Sequence, residues 1–438
     1  MIKQHIHILT FCFGLFTGHI HAQEVKTISK SEVLTKVASQ NLSAKISEQE
    51  YNQAKADYQQ TNAVFLPNIT ASYTGIVTNN PLMAFGSKLN QEVLTAQDFD
   101  PSRLNDPDRV QNFTTKFEIQ QPLLNLDGMF QRKAAKTKMN AMQLKSIRTQ
   151  EYLTLEATKS YMELQLVYKA VEVLEKALEA AQANLKVANN SYKNGYLQKA
   201  DLLSVEIRVN EIYNQLLQAK SEISNASNYV SYIMNEDDSL IFKPSDSLFV
   251  SEVIVGESLI LSEERSDLKA MQLASEAYNS IYKADKYSFL PRLNAFGSYE
   301  LYDDKFLQAD ANGYLVGAQL SWNILEGTKR FGKAQKSKAE YNKASLEYTQ
   351  YLSKSKLELN KAQRMLSDAE NNLKLNELSL EQAKEALRIR TNRFKEGLEK
   401  TADVLTAETS FAQKQLDYYQ AVFSFNYAQA YLQFLTTK

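Results

Sequence analysis

The chain has one cysteine and four histidines, and all five fall within its first 22 residues: Cys12, His5, His7, His19 and His21. Beyond that segment there is neither thiol nor imidazole. Disulfide frameworks, cysteine nucleophiles, serine–histidine–aspartate triads and most zinc or copper sites are excluded together. Glycine (13) and proline (7) are scarce for 438 residues, which favours a few very long elements over many short ones. A charge excess is missing too. Once Lys3 is removed with the leader, 49 basic residues face 51 acidic ones, a formal charge of −2. Nothing in that balance points to nucleic acid. No cofactor and no metal site are expected.

The first 22 residues read as a secretory signal. Lys3 gives a short basic start, Ile8 to Phe16 is mostly apolar, and His21-Ala22 precedes a polar mature start at Gln23. The apolar core is too short to span a bilayer. Cys12 lies inside it behind bulky Phe11 and is not read as a lipidation site.

What is present is a duplication. Phe65-Leu66-Pro67-Asn68 returns as Phe289-Leu290-Pro291-Arg292, each closing a helix-like stretch and opening an alternating one. The run Pro122-Leu123-Leu124 to Asp127-Gly128 returns as Asn323-Ile324-Leu325-Glu326-Gly327, each followed by a long Lys/Ala/Gln-rich segment. Gly195 with Ala200-Asp201-Leu202-Leu203 matches Gly397 with Ala402-Asp403-Val404-Leu405. The order is the same both times. The expected organisation is a signal peptide over 1–22, a first helix–strand–strand–helix repeat over 23–235, a connecting segment over 236–261 and a second repeat over 262–438.

The helical parts are long. Residues 127 to 191 contain no proline, and no glycine after Gly128, so one helix or stacked helices of about 100 Å are predicted at about 1.5 Å per residue. Val171, Leu174, Leu178, Ala181, Leu185 and Ala188 form a seam spaced alternately three and four, with small residues at every other step. The second copy, about 327–392, repeats it with Leu366, Ala369, Leu373, Asn376, Leu380, Ala383 and Leu387. Asn376 is a polar interruption of the kind that fixes register. Shorter helical stretches over 30–64, 201–234, 262–288 and 401–434 supply antiparallel partners. Gly195 and Gly397 fall where each long helix should end, as left-handed caps. Asp201 and Asp403 then stand near the start of the returning helix, where capping and the helix dipole both favour a carboxylate.

Four segments switch to a period of two: about 68–78, 113–122, 292–302 and 314–324. Ile69, Ala71, Tyr73 and Val77 alternate with Asn68, Thr70, Ser72 and Thr74, and Tyr314, Val316, Ala318, Leu320, Trp322 and Ile324 alternate with Gln319, Ser321 and Asn323. Ten-residue alternating segments with aromatics on the apolar face fit transmembrane β-strands, with tyrosines and Trp322 suited to the interfacial girdle. Four strands cannot close a barrel around a lumen, and open edges are not viable in lipid. If these strands span a membrane, several chains must share one barrel. The connection 79–112 is long and aspartate-rich without EF-hand spacing, and is read as a solvated loop.

The leader, the doubled unit, the Phe-Leu-Pro strand entries and the glycine turns followed six residues later by Asp201 and Asp403 resemble the TolC-type outer-membrane efflux proteins (outer membrane factors). The resemblance covers essentially the whole mature chain. It implies a mainly α fold with a β-barrel portion: long antiparallel coiled-coil helices plus four transmembrane strands per chain, assembled as a homotrimer. Its porin-like channel would stand in outer-membrane lipid, continued by a helical tunnel in the periplasm, with residues 236–261 in an equatorial belt. It also implies a passive exit duct of tripartite efflux or type I secretion, serving an inner-membrane pump through a periplasmic adaptor (membrane fusion) protein. No enzyme activity is implied. The family's tip motif falls on Asn194, Gly195 and Tyr196 and on Glu396, Gly397 and Leu398, candidate adaptor contacts. Its gate positions fall on Tyr192, Asp201, Phe394 and Asp403. An arginine of some members is Glu399 here, so Arg393 or Lys400 is the expected substitute, and a second ring aspartate is Thr406. The competing reading is a periplasmic coiled-coil scaffold or adaptor-like binding protein without a pore. It needs no duplicated aromatic-bearing strands, and it would wash off membranes without detergent.

Overall fold

A computed structural model describes residues 25–237, 239–252 and 260–437. The expected signal peptide, and residues 253–259 of the expected connecting segment, lie outside the described residues. In chain order the elements are β1 (Val25–Ile28), α1 (Lys30–Gln40), α2 (Leu42–Gln60), β2 (Asn68–Thr78), α3 (Pro81–Asn90), α4 (Pro101–Asn105), β3 (Val110–Leu124), α5 (Leu126–Lys193), α6 (Lys199–Met234), β4 (Ile241–Pro244), α7 (Ser266–Tyr287), β5 (Arg292–Asp303), β6 (Ala311–Ser321), α8 (Lys329–Lys395) and α9 (Thr401–Thr436). No described helix is long and apolar enough to cross a membrane.

Two compact units divide these elements. One gathers the described residues of 1–41, 153–255 and 364–431, the other those of 42–152, 256–363 and 432–438. Each unit therefore draws on both halves of the sequence, and α5, α8 and α9 each contribute to both.

The first unit holds a two-stranded parallel sheet, β1 against β4, with Val25 opposite Ile241 and Ile28 opposite Pro244. Its main core joins Met162 of α5, Ala369 and Leu373 of α8, and Ala421, Val422, Phe425 and Ala428 of α9, with Leu248 inserted from the segment after β4. That segment is strapped down through Asn426. The side-chain oxygen of Asn426 accepts from the Ser251 backbone N–H (3.0 Å) and hydroxyl (2.7 Å), while its amide donates to the Phe249 carbonyl (2.8 Å). Along α5 the predicted seam is realised: Val171 and Leu174 pack with Leu216 of α6, and Ala188 packs with Leu202 and Val205. The second seam is buried at Ala369 and Leu373 and only half-buried at Leu380, Ala383 and Leu387. Asn376 is half-buried, and its amide donates to the Asn372 carbonyl and side chain one turn back, both at 2.8 Å.

The second unit holds the four-stranded antiparallel sheet, in the order β2-β3-β5-β6. The two repeats meet at its centre, where Phe117 of β3 lies opposite Tyr299 of β5. The first and third strands start where expected. The second is longer, and the fourth is shifted to 311–321 rather than 314–324. Arg292 is the first residue of β5 and pairs with Ser321. Pro291 before it has no N–H to offer, so the alternation through Trp322 and Ile324 continues in sequence without a ladder partner. Trp322 instead donates its indole N–H to the Phe289 carbonyl (3.0 Å).

Among the helices, the stretch expected over 30–64 is broken at Asn41. Its backbone leaves the helix, and its buried side-chain amide donates to the Ile233 carbonyl (2.7 Å). The connection 79–112 is not an irregular loop. Proline at the first position and the side chains of Asn80 and Asp100 start α3 and α4. Between them, Asp98 caps a short turn at Thr95 and pairs with Lys88 at 2.8 Å. Within the stretch read as a solvated loop, Asp100 starts a helix, and those contacts with Lys88 and Thr95 hold the Asp98 carboxyl well below the ordinary range.

Candidate functional site

Register assigns every residue of the sheet to a face. Ile69, Ala71, Tyr73 and Val77 of β2 share one face with Phe113, Phe117 and Ile119 of β3, with Leu293, Ala295, Tyr299 and Leu301 of β5, and with Tyr314, Val316 and Leu320 of β6. On the other face stand Thr70, Ser72 and Thr74, Thr114, Lys116 and Glu118, and Ser298 and Glu300. There the Lys116 ammonium bridges Glu118 (3.2 Å) and Glu300 (3.4 Å). The apolar face is largely uncovered, Tyr314 being 82% exposed. A soluble protein rarely leaves so large an apolar surface open. Toward the β5–β6 connection, Tyr73, Phe113 and Phe306 form a ring cluster with centroids 5.6–6.2 Å apart, and Tyr73 accepts from the Leu307 N–H (2.8 Å). β2 and β6 are each paired on one side only.

The two helix hairpins close by the same cap. After α5, the Tyr196 N–H donates to the Ser191 carbonyl (2.8 Å) and the Gly195 N–H to the Tyr192 carbonyl (3.0 Å). After α8, Leu398 and Gly397 repeat the pair on Arg393 (2.9 Å) and Phe394 (3.0 Å). This is the Schellman pattern, which needs a left-handed residue after the helix. Gly195 and Gly397 supply it at φ +76° and +72°. An added Cβ would meet nothing within 4 Å at either position, so only backbone strain opposes substitution. Gly195→Ala and Gly397→Ala are each expected to lose about 1–2 kcal/mol locally, read as faster hydrogen exchange at the Tyr196 and Leu398 amides. Asparagine, which tolerates this conformation, should restore part of the protection.

The predicted tip residues are presented outward: Asn194, Glu396 and Leu398 are exposed, and Tyr196 is 85% exposed. The predicted gate residues are divided. Phe394 turns inward and lines a small apolar cleft with Val187, Ala188, Leu197, Val205 and Val404, while Tyr192 lies exposed with the Lys199 ammonium 5.4 Å from its ring centroid. Asp201 and Asp403 are both half-buried in the third position of their helices. Among the described residues no backbone N–H donates to either carboxylate, no ion pair engages Asp201, and Asp403 pairs with Arg390 alone, at 3.8 Å.

Arg390, which was not foreseen, closes a clamp across the second hairpin. Glu399 receives Arg390 (2.7 Å) on one carboxylate oxygen and Arg393 (2.9 Å) on the other. Arg393 thus has a local partner, and among the described residues Lys400 forms no ion pair within the chain. The signal for Arg390 was present: Arg390 and Arg393 share a helix face three residues apart, and only a tight turn separates them from Glu399. A half-buried acid was also missed. Glu408 of α9 accepts from the Asn184 amide of α5, and burial pushes its carboxyl up despite that bond and the nearby charge of Arg208.

Comparison with known proteins follows the same geometry. The family profile described as Outer membrane efflux protein matches residues 33–236 and 260–437. Among solved structures, CusC superposes with a TM-score of 0.79 at 14% identity, covering 93% of this chain and 91% of its own. The Campylobacter jejuni CmeC outer membrane channel gives 0.81 at 15%, covering 93% and 85%. The Neisseria gonorrhoeae MtrE outer membrane channel, solved in its open state, gives 0.76 at 14%, covering 93% and 88%. No curated protein matches the chain in sequence.

Proposed function

The chain belongs to the outer membrane efflux protein family, and from that premise we propose that three copies join their sheets edge to edge in one outer-membrane barrel. In this reading the duct is passive, has no catalytic site, and receives substrate from an inner-membrane pump through a periplasmic adaptor. The apolar sheet face meets lipid and the polar face, with Lys116, Glu118 and Glu300, lines the lumen. The carrying observation is the sheet itself: strands of 11 to 15 residues with one apolar face and two edges, β2 and β6, each paired on one side only. Unpaired edges in hydrocarbon leave backbone groups unsatisfied at several kcal/mol each, so copies must complete one another. The long helices α5, α6, α8 and α9 form the periplasmic part. The division of the sequence into repeats at 23–235 and 262–438 fits a pseudo-symmetric ring.

At the tips, Asn194, Gly195, Tyr196, Glu396, Gly397 and Leu398 serve as the adaptor-facing surface. Asp201 and Asp403, with Tyr192 and Phe394 near them, form the closing ring. Arg390 and Arg393 are held by Glu399 inside one hairpin, so closure between copies falls to the two aspartates. The open state of the similar MtrE channel supports a tip that has two positions.

The test is planar-bilayer recording on the protein purified from membranes, beside a carbonate wash of those membranes. Discrete conductance steps from a detergent-dependent trimer are expected. A protein that washes off without detergent and never conducts would establish the pore-free scaffold instead.

A further inference from the structure

The two outer connections of the sheet fold to opposite faces. Phe306 of the β5–β6 connection joins the aromatic cluster on the apolar face, as described above. The β2–β3 connection goes the other way. α3 packs against β3 and against β6, and so crosses over β5 between them. Its buried residues Ala84 and Ser87, with Gln91 at its end, face the sheet. Beneath it, Val110, Asn112 and Ala311 are buried, and register puts all three on the polar face. The Gln91 amide pins the arrangement, donating to the Gln111 carbonyl (2.8 Å), the Asn112 side chain (2.9 Å) and the Asp303 carbonyl (3.2 Å).

That leaves an unexplained surface. Leu82, Gly86 and Leu89 are spaced four and three apart, on the side of α3 opposite Ala84 and Ser87. Leu82 is 81% exposed and Leu89 is exposed too, with Val93 exposed just beyond the helix end. A Cβ added at Gly86 would meet nothing within 4 Å. A ten-residue helix that is apolar on the side away from its own sheet has a further partner to bury it.

We propose that this stripe docks on the same stripe of the other copies, closing the outer end of the duct by contact among three α3 helices. The proposal rests on the three-copy barrel reading. Size selects the occupant. Strands about 4.8 Å apart and tilted about 40° place the wall of a twelve-strand ring about 12 Å from its axis. A helix with its side chains is about 10–12 Å thick. One helix lying on the inner wall therefore reaches the axis, where its outward face can meet only its own counterparts. Gly86, at the middle of the stripe, lets the helices approach closely. The closure is apolar, so charge does not hold it, and it is independent of the aspartates at the helix tips.

The experiment has two arms, both in full-length protein carrying Cys12→Ser. In the first, Gly86→Cys or Leu89→Cys is oxidised in intact membranes. Two of three copies become joined, and a covalent dimer band is expected from a trimer that otherwise runs normally. In the second, Leu82→Asp/Leu89→Asp is recorded in planar bilayers. Neither side chain is packed in the chain, so the trimer persists and conductance steps grow by at least about twofold. An intact trimer with neither crosslink nor altered conductance overturns the lid and leaves the duct standing. Absence of any trimer or channel from the Cys12→Ser parent overturns the duct, and the lid with it.

Discussion

Arg265→Ala is expected to lower unfolding stability by about 3 kcal/mol, the low end of the cost of breaking a buried ion pair, because Arg148 stays beside the Asp267 carboxylate. Arg265 is 1% exposed, and every arm of its guanidinium is used. It forks onto Asp267 at 2.7 and 3.0 Å, donates to the Ser355 hydroxyl (2.8 Å) and to the Leu435 carbonyl at the end of α9 (3.1 Å). Tyr351 also donates to Asp267 (2.7 Å), and the Arg148 guanidinium lies 3.3 Å from it. Arg148 in turn stacks 3.6 Å from the Phe434 ring centroid and donates to the Phe434 carbonyl (3.0 Å). Two arginines thus satisfy the last carbonyls of α9 and tie them to α7 and α5 through one carboxylate. Arg265→Lys keeps the charge but loses the fork, so only partial recovery is expected. A loss under about 1 kcal/mol, the scale of an exposed pair, in denaturant unfolding of the detergent-solubilised protein would refute the assignment.

The same cluster predicts a pH dependence. Burial alone would raise the Asp267 carboxyl, but hydrogen bonds from Arg265 and Tyr351 and the charge of Arg148 outweigh it and hold it below its ordinary value. Burial and the bond to Asp267 push the Tyr351 hydroxyl up to about 12. A carboxyl depressed in the folded state contributes stability that is present above its unfolded value, about 3.9, and is lost as pH falls through the folded one. Wild-type thermal stability should therefore drop on acidification below about pH 4. Asp267→Asn should start lower and show a shallower drop.

This cluster was invisible in the sequence, and the reason is physical. Arg148, Arg265, Asp267, Tyr351 and Leu435 are spread over 288 positions, and nothing local marks Arg265 as different from the other basic residues on these helices. What was legible was whatever local periodicity or covalent constraint dictates. The strand faces followed from alternation, the α5 seam from its three–four spacing, and the tips from glycine's access to positive φ. Element ends were less legible where a partner decides them. The limit of β6 depends on Pro291 one strand away, and the break at Asn41 depends on a carbonyl at Ile233. The α3 helix was hidden because Asn80 and Pro81, which look like loop residues, are its cap and first position. At the tip, residue type suggested Arg393 or Lys400, and Arg390 came only from geometry, because the tight turn brings it across to the Glu399 carboxylate beside Arg393.

Asp201→Ala/Asp403→Ala is expected to shift the duct strongly toward its open form. Among the described residues of one copy no ion pair engages Asp201 and Asp403 has Arg390 at 3.8 Å, which supports the proposal that both act in contacts between copies. An exposed ionic contact contributes about 0.5 kcal/mol. Six of them around three copies bias the gate by about 3 kcal/mol, which is roughly a hundredfold in the closed-to-open ratio. No single contact would be felt, and the ring as a whole would. The double variant should therefore show larger and longer conductance steps in planar bilayers, each single variant about the square root of that change, and block by divalent cations should vanish as the carboxylate ring is removed. Glu399→Gln offers the contrast. It frees Arg390 and Arg393 from their partner within one hairpin and should let them reach the aspartates of a neighbouring copy, making closure firmer rather than weaker. If the double aspartate variant conducts like wild type while Glu399→Gln opens the channel, the arginine clamp holds the gate and the aspartates do not.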